Sequence, residues 1–203
     1  MQHFVVGGEG ERSMSVERGK TGVRRADAQR NHDVILSVTR IAVAERGANV
    51  VLEDIARDAG VGIGTLYRHF PTRQNLLEAV FLDEAIELRD RAEGLAVHES
   101  AFEALVGWLH CQLDFGARGR SMGAAVMNAK HTEGSDIQMA CVEMREAGLV
   151  LLRRAQTSGE VKPDIDLIDV LRLMGGIVMA NEHAPDPERV DRMFDVVIAG
   201  IKS

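Results

Sequence analysis

The chain has 203 residues, 45% hydrophobic, 27% charged and only 4% aromatic, a balance that fits one or two folded domains and excludes a wholly disordered chain. No apolar run approaches the roughly 20 residues of a membrane-spanning helix, the start MQHFVVGGEGERS lacks the pattern of a secretory leader, and Cys111 and Cys141 are too few for a disulfide framework or zinc knuckle, so a cytoplasmic protein is expected. The formal charge of −7 hides a split: residues 20–75 carry nine Lys/Arg against six Asp/Glu, while residues 76–203 carry a net −9, so only the front third suits a polyanion.

Residues 1–25 are rich in Gly, Ser and charge without a sustained apolar period and read as a mobile arm, with Met14 a second candidate start. A first helix is predicted over 27–46. Its Val34, Ile35, Val38, Ile41 and Ala42 follow the i, i+1, i+4, i+7, i+8 spacing of one buried stripe, and Gly47 stops it. A short helix over 52–59 carries Glu53 and Asp54 in its first turn, where the helix dipole favours negative charge, and ends at Gly60. Another, over 63–70, is limited by Pro71. A long helix over 72–92, with Thr72 as N-cap, turns Leu76, Leu77, Val80, Phe81, Ala85 and Leu88 inward. Further helices are predicted over 100–118, 121–130, 136–157, 166–181 and 187–201, with Asp164 or Asp166 capping the fourth of these. No alternating strand pattern occurs, so the fold class is all-α.

The segment LEDIARDAGVGIGTLYRHFPTRQNLL, Leu52–Leu77, has the pattern of a helix-turn-helix. Ala56 is small where two helices cross, Gly60 supplies a cheap positive φ in the turn, and Leu66 faces back from the second helix. Ile55, Val61 and Phe70 complete a small core. The outward face then offers Thr65, Tyr67, Arg68 and His69, donors suited to phosphates and base edges in a major groove. Amides near Gly62–Thr65 are placed to hold a backbone phosphate.

Within that segment GVGIGTLYRHFPTRQNLL resembles the recognition-helix signature of the TetR family of bacterial transcriptional regulators, the likeness extending over residues 31–80. The resemblance implies an N-terminal three-helix helix-turn-helix DNA-binding domain over 26–72 and a C-terminal helical ligand-binding and dimerisation domain over 73–203. It also implies a homodimer, a palindromic double-stranded DNA operator and a small-molecule effector that releases the DNA, with no cofactor. Gly62, Thr65, Tyr67 and His69 match family positions that touch DNA, and Arg73 matches a basic residue that grips phosphate. Two residues depart from the pattern. Val51 stands where the family often has Ser or Thr as an N-cap, and Ile63 stands where many members have Lys, turning a charge contact into an apolar one.

The string Gly60–Gly64 is not a dinucleotide-binding loop, because a helix precedes it and the G-x-G-x-x-G spacing fails. Lys20, Arg24 and Arg25 suit either a solvated tail or an arm along DNA. The adjacent His110-Cys111 pair and His131 have no further metal ligand at useful spacing and read as helix-core residues. Among the larger apolar side chains, Trp108, Phe115, Met122, Met127 and Met144 are candidates to line an adaptable pocket, or else core filler. The last two predicted helices share a broad apolar face of Leu171, Met174, Val178, Val190, Met193, Phe194, Val197 and Ile201. With Gly175 and Gly176 permitting close approach, they are expected to form a dimer interface. Two alternatives stand beside a ligand-released repressor: an architectural DNA-binding protein without an effector, and an enzyme using His110, His131 and Glu133, which lacks any nucleophile or phosphate loop.

Overall fold

The computed structural model describes residues 10–182 and 186–203, with side chains described from Ala26 onward apart from Ala125. Its helices are α1 (Gly10–Arg46), α2 (Leu52–Asp58), α3 (Ile63–His69), α4 (Arg73–Leu95), α5 (Ala101–Ser121), α6 (Ala124–His131), α7 (Asp136–Thr157), α8 (Leu167–Ala180) and α9 (Pro187–Ile201). The described residues form no strand beyond one isolated antiparallel bridge, Val161 with Lys202. None of their helices is long and apolar enough to cross a membrane.

α1 differs from its prediction at its start and in its phase. It begins at Gly10 rather than near Asp27: helix formers such as Glu11, Arg12, Glu17, Arg18 and Lys20 stand among residues 10–25 beside three glycines, without an apolar stripe. The expected arm is therefore helical from Gly10, and residues 1–9 of it lie outside the described residues. The buried stripe is Ile35, Leu36, Thr39, Ala42 and Val43, the same spacing moved on by one residue, and Val34 and Ile41 point to solvent. Thr39 explains the shift. Its Oγ1 donates to the Ile35 carbonyl at 2.7 Å, so a hydroxyl that pattern reading treats as polar is satisfied within its own helix and can be buried.

Gly47 and Gly60, at φ +60° and +65°, end α1 and α2. At the second, the Val61 amide donates back to the Ala56 carbonyl at 2.9 Å, which closes the α2–α3 turn. Leu52, Ile55, Ala56, Leu66 and Phe70 are buried together with the α1 stripe, so the three N-terminal helices share the predicted core.

α4 is the axis of the molecule, packed on α1, α5, α6 and α7. Thr72 caps it as predicted, accepting from the Asn75 amide at 3.1 Å. All six residues predicted to face inward are buried, and Glu84 joins them. Two glycines let large rings into the core. A Cβ on Gly148 would stand 2.1 Å from the Trp108 ring, and one on Gly119 would stand 2.5 Å from Phe81. Trp108, fully buried, donates from Nε1 to the Leu88 carbonyl at 3.1 Å, so its one polar group is satisfied on α4. Asp166 caps α8, accepting from the Ile168 amide at 2.7 Å. The chain end is tied back by the Ser203 amide, which donates to the Glu160 carbonyl at 3.1 Å.

Candidate functional site

The second helix of the helix-turn-helix, α3, is held from behind by Leu66 and presents Ile63, Tyr67 and Arg68 to solvent. Tyr67 is 44% exposed, which places it on the outward face rather than in the core. Gly62 is the N-cap of α3, without a side-chain cap, and neither α3 nor α4 has an acid in its first turn. A Cβ on Gly62 or Gly64 would meet nothing within 4 Å. No internal packing therefore demands glycine there, and its absent side chain clears the approach to amides at a positive helix end, as a phosphate requires.

Arg68 folds back along α3, with Nε donating to the Gly64 carbonyl at 3.0 Å and Nη2 to Thr65 Oγ1 at 2.8 Å. Thr65 and Arg68 thus form one polar unit on the outward face. Arg73 is exposed at the first residue of α4, a position where the helix dipole disfavours a cation, and no acid compensates it in that turn. A phosphate there would suit both the guanidinium and the helix end.

His69 is placed differently from its neighbours. It is half-buried at the end of α3, its ring 6.0 Å from that of His32 on α1 and 6.1 Å from that of Phe70. Burial, then the neighbouring His32 and Arg68, hold its imidazole below the ordinary value of 6.5, so it is neutral near pH 7. His69 is as much a bridge between α3 and α1 as a surface donor, and His32, which sequence reading did not single out, is its partner. The departure at Val51 is visible too, since α2 has no side-chain cap. The side chains of Lys20, Arg24 and Arg25 lie outside the described residues.

The pocket candidates separate into two groups. Phe115 and Met144 line a cavity of about 440 Å³ between α5, α6, α7 and α8. Trp108 and Met122 are buried in the core, Met127 is half-buried on α6, and none of the three lines that cavity. The candidate interface residues divide as well. Met174, Phe194 and Ile201 are buried inside the chain's own core, while Leu171, Val178, Val190, Met193 and Val197 are only partly covered. The most exposed apolar residues of α8 and α9 are Leu173, Met179, Ile168 and Val196, the last 72% exposed. Leu173, Gly176, Met193, Val196 and Val197 share one open groove between the two helices, largely apolar but also lined by Arg172, Arg189 and Arg192.

His110 packs its ring edge-on against Phe194, with centroids 5.3 Å apart, and His131 lies on α6 at the cavity. Among the described residues no group of three His, Cys, Asp or Glu is placed to hold a metal ion.

A helix-turn-helix with an open outer face, joined through α4 to an all-helical domain, defines a DNA-binding regulator of transcription. Residues 35–80 match the family described as bacterial regulatory proteins, tetR family, and residues 100–203 match the C-terminal domain of SbtR-like transcriptional regulators. The fold is similar to the TetR transcriptional regulator SCO0520 from Streptomyces coelicolor, at 31% identity and TM-score 0.72, covering 84% of this chain and 98% of that one. It is also similar to a TetR transcription regulatory protein from Mycobacterium vanbaalenii, at 31% identity and TM-score 0.60, covering 88% and 99%. The HTH-type transcriptional regulator UidR of Escherichia coli is 24% identical over 174 residues, 81% of this chain and 88% of that protein. A likeness to the HTH-type transcriptional regulator SAR0097 of Staphylococcus aureus, 37% identical over 67 residues, spans 32% of this chain and 34% of that protein. The chain belongs to the TetR family of bacterial transcriptional regulators.

Proposed function

We propose that the protein is a homodimeric repressor that binds a palindromic operator and is released from it by a small molecule held in the C-terminal domain. The observation that carries the reading is the outward face of α3, where Tyr67 and the Thr65–Arg68 unit project beside two acid-free helix starts and Arg73. Tyr67 and Thr65 are suited to base edges, and the amides after Gly62 and the Arg73 guanidinium to phosphates. A second copy docked along α8 and α9 would present two α3 helices about 34–36 Å apart, one turn of DNA, for a palindrome.

The release step has two routes into the N-terminal domain. One is α4, whose start carries Arg73 and whose body is packed on α7. The other is the α5–α6 junction, where a Cβ on Gly47 would stand 3.1 Å from the Ser121 carbonyl oxygen and one on Gly123 would stand 3.7 Å from Ala48. Because α6 begins beside Ala48 and ends at the cavity, a ligand that displaces its far end also displaces the ground under the α1–α2 turn. A ligand can shift the DNA-binding state by no more than its differential affinity for the two states. The cavity supports an effector-bound regulator over an architectural DNA-binding protein without one.

Selection of bound fragments from the source genome by purified protein, with Tyr67→Ala in parallel, tests the reading. Enrichment of one inverted repeat by the parent alone is the expected result. No enrichment at low salt, repeated with protein stripped of ligand by denaturing and refolding, would overturn it.

A further inference from the structure

The cavity between α5, α6, α7 and α8 has a wall of two kinds. Most of it is apolar: Phe115, Met144 and Met174 are buried, and Leu171 and Val178 are partly covered. Into this wall comes Gln112, 7% exposed, whose Nε2 is buried without an acceptor. A buried donor of that kind is costly and calls for an oxygen to receive it.

Lys130 and His131 from α6, Arg145 from α7 and Arg172 from α8 also line the cavity, and among the described residues no Asp or Glu does. Of these four, only Arg172 has an ion-pair partner among the described residues, Asp169 at 3.5 Å. This cationic lining lies within the part of the chain that carries a net −9, so it runs against the average charge of its surroundings. Lys130 and His131 have a local reason to be cationic, because they occupy the last turn of α6. Arg145 and Arg172, well inside their helices, have none of that kind.

The positions are mutually consistent. Trp108 rests on Gly148, and one turn further on, Gln112 lines the same cavity as Met144 and Arg145, so the α5–α7 contact continues into the cavity and brings the unpaired amide to the arginine's helix turn. The cationic field reaches the interior beside it: burial pushes the Cys141 thiol up, while Lys130 and Arg145 pull against that rise.

We propose that this cavity takes an amphipathic carboxylate, its apolar body against Phe115, Met144 and Met174 and its acid group at Gln112, Arg145 and Lys130. The cavity volume of about 440 Å³ falls in the range of roughly 300–1,000 Å³ usual for small-molecule sites. This assignment of a ligand class rests on the reading that the C-terminal domain holds an effector. Gln112 Nε2 donates to one carboxylate oxygen, and the two cations pair with the acid from their side of the cavity, which makes charge as well as shape a condition of binding.

The test is calorimetric titration of the full-length protein with decanoate and 4-phenylbutyrate, beside decan-1-ol and decylamine as neutral and cationic probes of matched length. Either carboxylate is expected to bind once per chain, and decylamine to bind about tenfold more weakly or not at all. The pair of substitutions Lys130→Gln and Arg145→Gln is expected to weaken the carboxylate about tenfold while leaving decan-1-ol unchanged, which also shows that the variant is folded. Gln112→Leu is expected to weaken the carboxylate and to raise the Tm of the free protein, because the unpaired donor is gone. Equal binding of decanoate, decan-1-ol and decylamine would overturn the proposal, as would no binding of either carboxylate to protein that still binds its operator. Operator affinity, followed by fluorescence anisotropy on a selected fragment, separates the two readings. Carboxylate binding that leaves operator affinity untouched would support the ligand class and overturn release by an effector.

Discussion

The Glu84 carboxylate, buried in the middle of α4, accepts from Arg118 Nε on α5, with its two oxygens at 3.1 and 3.0 Å. On its other side Arg40 of α1 brings Nε to 3.5 Å. Arg40 in turn donates to Asp83 at 2.7 Å and to both oxygens of Glu87 at 3.0 Å. One buried charge on α4 therefore holds the DNA-binding domain through α1 and the C-terminal domain through α5. That makes α4 an electrostatic as well as a packed link between the two.

Glu84 gives that link a pH dependence whose sign follows from its surroundings. Burial is the larger influence and, despite Arg118 and Arg40, holds the carboxyl above its ordinary value of 4.5. A carboxyl raised in the folded state binds its proton more tightly there than in the unfolded chain. Its contribution to stability therefore declines as pH rises from about 4.5 through the folded value, and is constant above it. Glu84→Gln keeps the shape and removes the titration. At pH 4.5, where the folded carboxyl is mostly protonated and resembles the amide, parent and variant should be closest to equal stability, and the parent should lose ground to the variant as pH rises. Denaturant unfolding of both proteins at pH 4.5, 5.5 and 7.5 checks this. A parent that gains on the variant as pH rises would place the folded value below 4.5.

Trp108 and Gly148 form a second relationship that can be tested alone. The indole occupies the space a Cβ at Gly148 would need, with the nearest ring carbon 2.1 Å away. Gly148→Ala must push the ring off its place and off the Leu88 carbonyl, which should cost about 1–3 kcal/mol. Helix propensity alone would favour alanine by nearly 1 kcal/mol, so the sign of the change separates packing from propensity. Thermal unfolding should show a lower Tm for Gly148→Ala. In a Trp108→Phe background, with a smaller ring above the site, the penalty should be reduced.

Arg73 and Tyr67 should fail differently on DNA. Tyr67→Ala should weaken the selected operator by about 1–3 kcal/mol and leave non-specific binding nearly unchanged, since a base contact carries sequence information. Arg73→Gln should weaken all sequences alike and reduce the slope of log affinity against log salt by about 1, because one fewer counterion is released. Anisotropy titrations at several salt concentrations measure both quantities. An unchanged slope for Arg73→Gln would remove it from the phosphate contacts.

The helix-turn-helix was legible in the sequence because its requirements are local: a small residue at Ala56, a positive φ at Gly60, and Leu66 set against Tyr67 on opposite faces of one short helix. The phase of α1 was not, because a count of apolar letters cannot know that Thr39 satisfies its hydroxyl on Ile35. Glu84 was hidden for a related reason. A carboxylate on an otherwise apolar stripe reads as an interruption until Arg118 and Arg40, 34 and 44 residues away, are brought beside it. Gln112, Lys130 and Arg145 come from three helices, and only tertiary packing gathers them on one cavity.

α8 shows the same limit and yields the last prediction. Its apolar residues serve two faces, and a broad apolar stripe in the sequence does not say which residues turn inward. Met174 is buried in the chain's own core, whereas its neighbour Leu173 is exposed beside Val196 of α9 in the open groove. A positive charge at Leu173 or Val196 would join Arg172, Arg189 and Arg192 in that groove and be desolvated beside like charges when a second copy docks there, but would be hydrated in the monomer. Leu173→Lys and Val196→Lys should therefore raise the dimer dissociation constant about a hundredfold or more. They should also abolish operator binding while leaving helical content and Tm of the monomer nearly intact. Met174→Ala should do the reverse, lowering Tm through a core cavity worth about 2–5 kcal/mol and leaving the dimer in place at temperatures where the chain is folded. Light scattering after size exclusion, with unfolding followed by circular dichroism, separates the two classes. Dimers that survive both charged substitutions would move the interface off this groove.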